Sequence, residues 1–253
     1  MRHYMDPDEA VEYIRTVFKR EAKKVHTSKW QGVGIAHRPE ARMMEVTDLT
    51  CRMRVHGDLA AQLKPNLPWA DDHFLERICG EPLNPGETWK TWPYAHSADK
   101  FRDERGQFDH NYMERYWPRY AGKTPDGSIP NVGFTINSGI RHAYGDLRDL
   151  IDLLKREPDT RQAYLPIFFP EDTGCRHGGR VPCSLGYHFL YRDNALSVYY
   201  YLRSCDIVRH FRDDLYLTAQ LLRYVADEVK LPVGNMTTHI SSLHCFVNDW
   251  NSV

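Results

Sequence analysis

Two apolar runs, Tyr187–Tyr191 and Leu196–Leu202, are separated by the turn Arg192-Asp193-Asn194, and this pattern constrains the fold more than any other stretch of the chain. Runs rich in aromatic and β-branched residues, broken by a short polar turn, form the two strands of a hairpin. Such a hairpin returns the chain on itself. Cys183, just before the first run, and Arg203-Ser204, just after the second, then come to the same end of a sheet. Asp213-Asp214 adjoin the amphipathic segment Leu215–Val229, where carboxylates suit the positive end of a helix. The stretch from Gly179 to Asp214 therefore reads as a nucleotide site, with a thiol nucleophile, an anion holder and a reader of the base.

The chain has 253 residues, 42% of them hydrophobic and 26% charged, enough to bury a substantial core. No linker, repeat or low-complexity tract divides it, so a single domain over 1–253 is expected. A formal charge of −1 argues against the basic face that polymeric nucleic acid needs, whereas a small anion needs only local cations. The six cysteines come without a secretory N-terminus, which points to reduced thiols in a cytoplasm. No segment approaches the roughly 20 apolar residues of a membrane span.

Along the chain, Asp6–Lys24 carries Val11, Ile14, Val17 and Phe18 at helical spacing, with acids early and bases late. Loose alternation from Lys29 to Val55, around Arg38-Pro39-Glu40, suggests an antiparallel pair. Pro68–Gly80 reads as a short helix bearing Glu76, and Asp146–Lys155 as an amphipathic one. Aromatics crowd between Thr88 and Ile129, among them Trp89, Trp92, Phe101 and Phe108. They are expected to fill core beneath long loops, the less favoured reading being the wall of a pocket for a flat cofactor. Ala163–Phe169 and Thr237–Phe246 read as strands; on the latter His239 and His244 are five apart and point to opposite faces. Cys175-Arg176-His177 with Cys183 lacks a recognised zinc-ligand spacing, so no metal is expected. Taken alone, Cys183 would be a small buried hydrophobe and Asp213-Asp214 helix-capping acids.

Five pieces stand in one order: Pro158-Asp159-Thr160-Arg161, Val181-Pro182-Cys183, Arg203-Ser204-Cys205-Asp206, Arg212-Asp213-Asp214 and Ser242-Leu243-His244-Cys245-Phe246. Together they cover roughly residues 139 to 248, and the chain here resembles the thymidylate synthases and, more closely, the deoxycytidylate (dCMP) and CMP 5-hydroxymethylases related to them. The resemblance implies an α/β (α+β) fold, a mixed sheet flanked by helices, and a homodimer formed through the sheet face. It implies that Cys183 adds to ring carbon 6 of a pyrimidine monophosphate as a thiolate, its pKa lowered by a cation such as Arg203. Arg203 and Ser204 would hold the 5′-phosphate, and Arg161 would reach the partner's site across the dimer. Asp206 would lie at the pyrimidine end, His244 would contact the sugar, and Glu76 would organise water and proton transfer. The implied cofactor is 5,10-methylenetetrahydrofolate, with its holders unassigned. Departures from the family pattern are Ser184 for a histidine, Gln162 for a second phosphate-binding arginine, and Phe246 for a tyrosine that touches the sugar. Only nine residues follow His244, so another segment is expected to cover the folate.

Where thymidylate synthases have asparagine, this chain resembles the dCMP hydroxymethylases in having Asp214. An amide complements uracil, which offers a donor at N3 beside an acceptor at O4. A carboxylate offers acceptors only, and facing the uracil carbonyl it would cost on the order of 1–3 kcal/mol. Cytosine donates from its amine, and with N3 protonated it presents two parallel donors while its carbon 6 becomes more electrophilic. The implied course is addition of Cys183, capture of the one-carbon unit at carbon 5, loss of tetrahydrofolate and addition of water. Alternatives are a CMP-specific hydroxymethylase of nucleoside-antibiotic synthesis, a synthase-type C5 methyltransferase, and a non-catalytic nucleotide-binding relative.

Overall fold

The computed structural model describes residues 3–30, 33–39, 42–121, 141–175 and 180–253. They fall into two compact units, one of residues 1–65, 183–185 and 191–253, the other of residues 66–182 and 186–190. Strand β6 (Ser184–Arg192) contributes its two ends to the first unit and its middle to the second.

The first unit is a mixed sheet with helices packed on it. Its strands are β1 (Lys23–Val25), β4 (Met43–Arg54), β9 (Val233–Phe246) and β7 (Ala195–Leu202), in that order, followed by the ends of β6. β4 runs antiparallel to β9 and β7 parallel to it. The short β8 (Cys205–Asp206) also lies parallel to β9, with Asp206 opposite His244. Between β6 and β7 the chain turns at Asp193 and Asn194, both left-handed at φ 53° and 60°, which are the backbone values a tight hairpin requires. The hairpin expected from the two apolar runs is thus present.

Helix α1 (Pro7–Glu21) starts where Asp6 N–H donates to Glu9 at 3.1 Å, and buries Ala10, Val11, Ile14, Val17 and Phe18. It packs on β4, while α7 (Phe211–Val229) packs on β7 and β9. The short α2 (Leu59–Leu63) is capped by Asp58, which accepts from Ala61 N–H. One expectation fails here. The segment 29–55 is not one antiparallel pair: among the described residues β2 (Lys29–Trp30) pairs with β3 (Val33–Gly34), and β4 pairs with β1 and β9. Both edges of β4 are therefore taken, and the small hairpin instead lays Trp30 and Ile35 against Met43 and Phe246.

The second unit holds α3 (Trp69–Ile78), α4 (Ala95–Ala98), α5 (Tyr112–Tyr116), α6 (Leu147–Arg156) and β5 (Tyr164–Pro166), the last antiparallel to the middle of β6. The strand expected over 163–169 is shorter than its apolar run, and beyond its end Phe169 N–H donates to Asp172 at 2.9 Å. α6 is capped reciprocally, Asp149 N–H donating to Asp146 and Asp146 N–H to Asp149, and buries Leu147, Leu150, Ile151 and Leu154. Arg115 and Asp172 form a buried two-pronged ion pair at 3.0 and 3.1 Å. No helix among the described residues is long and apolar enough to cross a membrane.

Candidate active site

In the first unit the chain leaves β7 at Leu202 and enters β8 at Cys205, so Arg203 and Ser204 sit at the sheet end where β6 begins. Arg203 N–H donates to the Cys183 carbonyl at 2.9 Å, which locks the two segments together. The Arg203 guanidinium lies 3.9 Å from Cys183 Sγ. A cation at this range favours the thiolate over the thiol. Cys183, Arg203 and Ser204 are all half-buried, so the group is reachable from solvent.

Ser204 Oγ is 3.3 Å from His244 Nδ1, and His244 lies across the ladder from Asp206. Burial pushes the His244 imidazole below its ordinary pKa, against the opposing charge of Asp206, so the ring is neutral at pH 7. Asp206 is itself raised by burial, with His244 pulling the other way. Its Oδ1 accepts from Val208 N–H at 2.9 Å and Arg209 N–H at 3.0 Å, so it shapes the turn into α7 as well as facing the histidine. Asp214 occupies the first turn of α7, and its Oδ2 accepts from the Cys205 thiol at 3.5 Å. The first unit alone thus gathers Cys183, Arg203, Ser204, Asp206, His244 and Asp214. His239 is elsewhere, stacked on Tyr201 at 5.2 Å and 3.2 Å from Thr50.

The second unit carries Glu76 and Arg161. Glu76 sits on α3, and the loop Gly86-Glu87-Thr88 wraps its carboxylate: Oε1 accepts from Glu87 N–H at 2.6 Å and Thr88 N–H at 3.0 Å, and Oε2 from the Thr88 hydroxyl at 2.5 Å. Burial alone would raise this carboxyl, but donors from His73, Thr88 and Glu87 outweigh it and hold the pKa at about 2. His73, buried and stacked on Trp69 at 4.9 Å, is lowered to about 4, first by burial and then by the charge of Arg77. Arg161 is exposed, and its carbonyl lies 3.0 Å from His188 Nε2. That contact ties the arginine's backbone to β6 and leaves the side chain pointing outward.

An open cavity of about 320 Å³ is lined by Trp89, Lys90, Ala95, His96 and Asp99. Trp89 keeps a buried indole N–H with no acceptor among the described residues and is perpendicular to the ring of Phe108, centroids 5.6 Å apart. The lining offers the indole of Trp89 to a flat group, while Lys90 is paired with Glu87 at 2.9 Å and Asp99 adds a negative charge. Arg176 and His177, weighed for metal, lie outside the described residues, and the described residues hold no cluster of three or more metal-capable side chains.

Residues not singled out from sequence include Cys205, the Gly86-Glu87-Thr88 cradle and His188. Only Cys205 had a signal, its place inside Arg203-Ser204-Cys205-Asp206.

Residues 83–253 match the thymidylate synthase family model. A protein of Methanosarcina mazei named "Putative thymidylate synthase" is 29% identical over 150 residues, 57% of this chain and 68% of that protein. A protein of the same name from Methanosarcina barkeri is 30% identical over 147 residues, 56% of this chain and 66% of that protein. The chain thus aligns with about two thirds of the length of these relatives.

Proposed function

This chain belongs to the thymidylate synthase family, and on that footing we propose that it is a folate-dependent 5-hydroxymethylase of a cytidine monophosphate, dCMP in preference to CMP. The observation that carries the proposal is Asp214, a carboxylate in the unit that holds Cys183 and Arg203. A carboxylate there accepts two parallel bonds from the amine and protonated N3 of cytosine, and leaves the uracil carbonyl without a donor.

In this reading Arg203 keeps Cys183 ionised at 3.9 Å, and the thiolate adds to ring carbon 6. Addition makes carbon 5 nucleophilic, and the proton on N3, held by Asp214, prepares the ring for attack. Ser204 and Arg203 hold the 5′-phosphate. Neutral His244, 3.3 Å from Ser204, offers its other ring nitrogen to the sugar. Asp206 fixes the turn that leads from this group to Asp214. Glu76, ionised at pH 7 in its cradle, orients the water that adds to the exocyclic methylene left once the carbon 5 proton and tetrahydrofolate have departed, and the electron pair then expels the Cys183 thiolate from carbon 6. Methylenetetrahydrofolate supplies the one-carbon unit when bound, and the indole of Trp89 would offer its ring system a flat face. The proposal includes a cytoplasmic homodimer in which exposed Arg161 serves the partner's phosphate. The half-buried Tyr199, Tyr201 and His239 on one sheet face support that arrangement.

The names of the relatives favour a second reading, synthase-type methylation of a uridylate. Incubation with methylenetetrahydrofolate and a mixture of dCMP, CMP, dUMP and UMP, with products weighed by mass spectrometry, separates the two. Hydroxymethylated dCMP is expected. A methylated dUMP product would overturn the proposal in favour of the second reading. In the same assay Asp214→Asn should shift preference toward uridylates, and unchanged base selectivity would refute the role of Asp214.

A further inference from the structure

Cys205 is 2% exposed, so its thiol has no access to water. It lies on β8 opposite Leu243 of β9, which fixes its backbone in the sheet. Two acceptors stand within its reach, Asp214 Oδ2 at 3.5 Å and the Asp206 carbonyl at 3.8 Å. A thiol has one proton to give, and the nearer oxygen, which carries carboxylate charge, takes it. The acceptor is equally well fixed. Asp214 N–H donates to the His210 carbonyl at 2.7 Å, and the Thr218 hydroxyl donates to the Asp214 carbonyl at 2.7 Å.

We propose that Cys205 is a specificity-determining positioning residue, whose thiol donates to Asp214 Oδ2 and so sets which edge of that carboxylate is presented to the pyrimidine base. The inference rests on the reading of Asp214 as the base contact and names a second residue on which base choice depends. The Cβ–Cγ torsion of an aspartate turns through a broad, roughly two-fold well. A donor seated on Oδ2 removes that freedom. The bond thereby sets the plane of the carboxylate, and an amino group beside a protonated ring nitrogen is met by acceptor oxygens lying in one plane.

The two cysteines of this unit's site are distinguished by their surroundings. Cys183 is half-buried beside the Arg203 guanidinium, whereas Cys205 is enclosed, and burial followed by the negative charges of Asp214 and Asp206 pushes its pKa well above the ordinary thiol value. Cys205 stays an S–H donor under conditions that ionise an accessible thiol. It is thus suited to hold a carboxylate and unsuited to attack a ring.

The test is the ratio of dissociation constants, dUMP over dCMP, measured by titration calorimetry for the wild type, Cys205→Ala, Cys205→Ser and Asp214→Asn. Binding is read without folate, so the result does not depend on turnover. Cys205→Ala should lower the ratio about three- to tenfold, the size of one weak donor to a charged acceptor. Cys205→Ser, which keeps a donor on a shorter side chain, should fall between alanine and the wild type, and it also serves if the alanine variant fails to fold. A purely structural role would weaken both nucleotides by one factor and leave the ratio unchanged, and that outcome overturns the inference. Asp214→Asn tells the two claims apart. A shifted ratio there beside an unchanged ratio in both Cys205 variants sinks this inference alone, while an unchanged ratio in Asp214→Asn sinks the base-reading role and this inference with it.

Discussion

Replacing Gly86 by alanine probes the cradle around Glu76 at its tightest point. Gly86 has φ +79°, and a Cβ built there would lie 2.8 Å from Glu76 Oε2 and 2.9 Å from both Oε1 and Cδ. The left-handed backbone costs an L-residue about 1 kcal/mol or somewhat more. The clash is separate. The carboxylate must retreat by several tenths of an ångström from Glu87 N–H at 2.6 Å and Thr88 N–H at 3.0 Å. Weakening these charge-assisted bonds adds about 2 kcal/mol, so Gly86→Ala should destabilise the protein by about 3 kcal/mol. Urea unfolding measures this. In a Glu76→Ala background the clash has no partner, and the same glycine change should cost only the backbone part, about 1 kcal/mol. Equal costs in the two backgrounds would refute the claim that Gly86 is glycine because the carboxylate fills the space of its missing side chain.

Cys183→Ala should abolish turnover yet still bind dCMP, because Arg203 and Ser204 do not need the sulfur to hold phosphate; near-normal turnover would remove the covalent mechanism. His73 is depressed from 6.5 to about 4 by burial, so the unfolded chain takes up its proton first as pH falls. Its contribution to stability is therefore complete above pH 6.5 and is lost as pH falls toward about 4. The loss reaches at most about 3 kcal/mol by proton linkage. His73→Phe, which keeps a ring on Trp69, should flatten the unfolding free energy across that window, and a slope unchanged from the wild type would show that another group is responsible.

Much of this protein is written in short-range pattern. The β6–β7 hairpin follows from two apolar runs and a polar turn, and Asp193 and Asn194 are residue types that tolerate the left-handed backbone found there. Helices α1, α6 and α7 follow from apolar spacing with acids at their starts, because a helix and its ends are decided by neighbours three and four residues apart. The return of Cys183 to Arg203 also follows, since a hairpin of equal arms can bring its ends nowhere else. The family pieces name the rest of the first unit's candidate site.

Other features depend on which distant segments win a place. β4 was expected to pair with the segment around Lys29–Ile35, yet its two partners are β1 and β9, the latter nearly two hundred residues later. The Glu76 cradle joins residues eleven and twelve apart through a loop with no periodic signal. The bond from Cys205 to Asp214 forms because β8 lies on β9 while α7 begins in the turn that Asp206 shapes. Sequence alone determined the chemical groups and the local elements that bear them, because those depend on nearest neighbours and on residue type. Tertiary structure alone decided which of those groups meet, because strand partners and buried donors are chosen by competition for burial and hydrogen bonds across the whole chain.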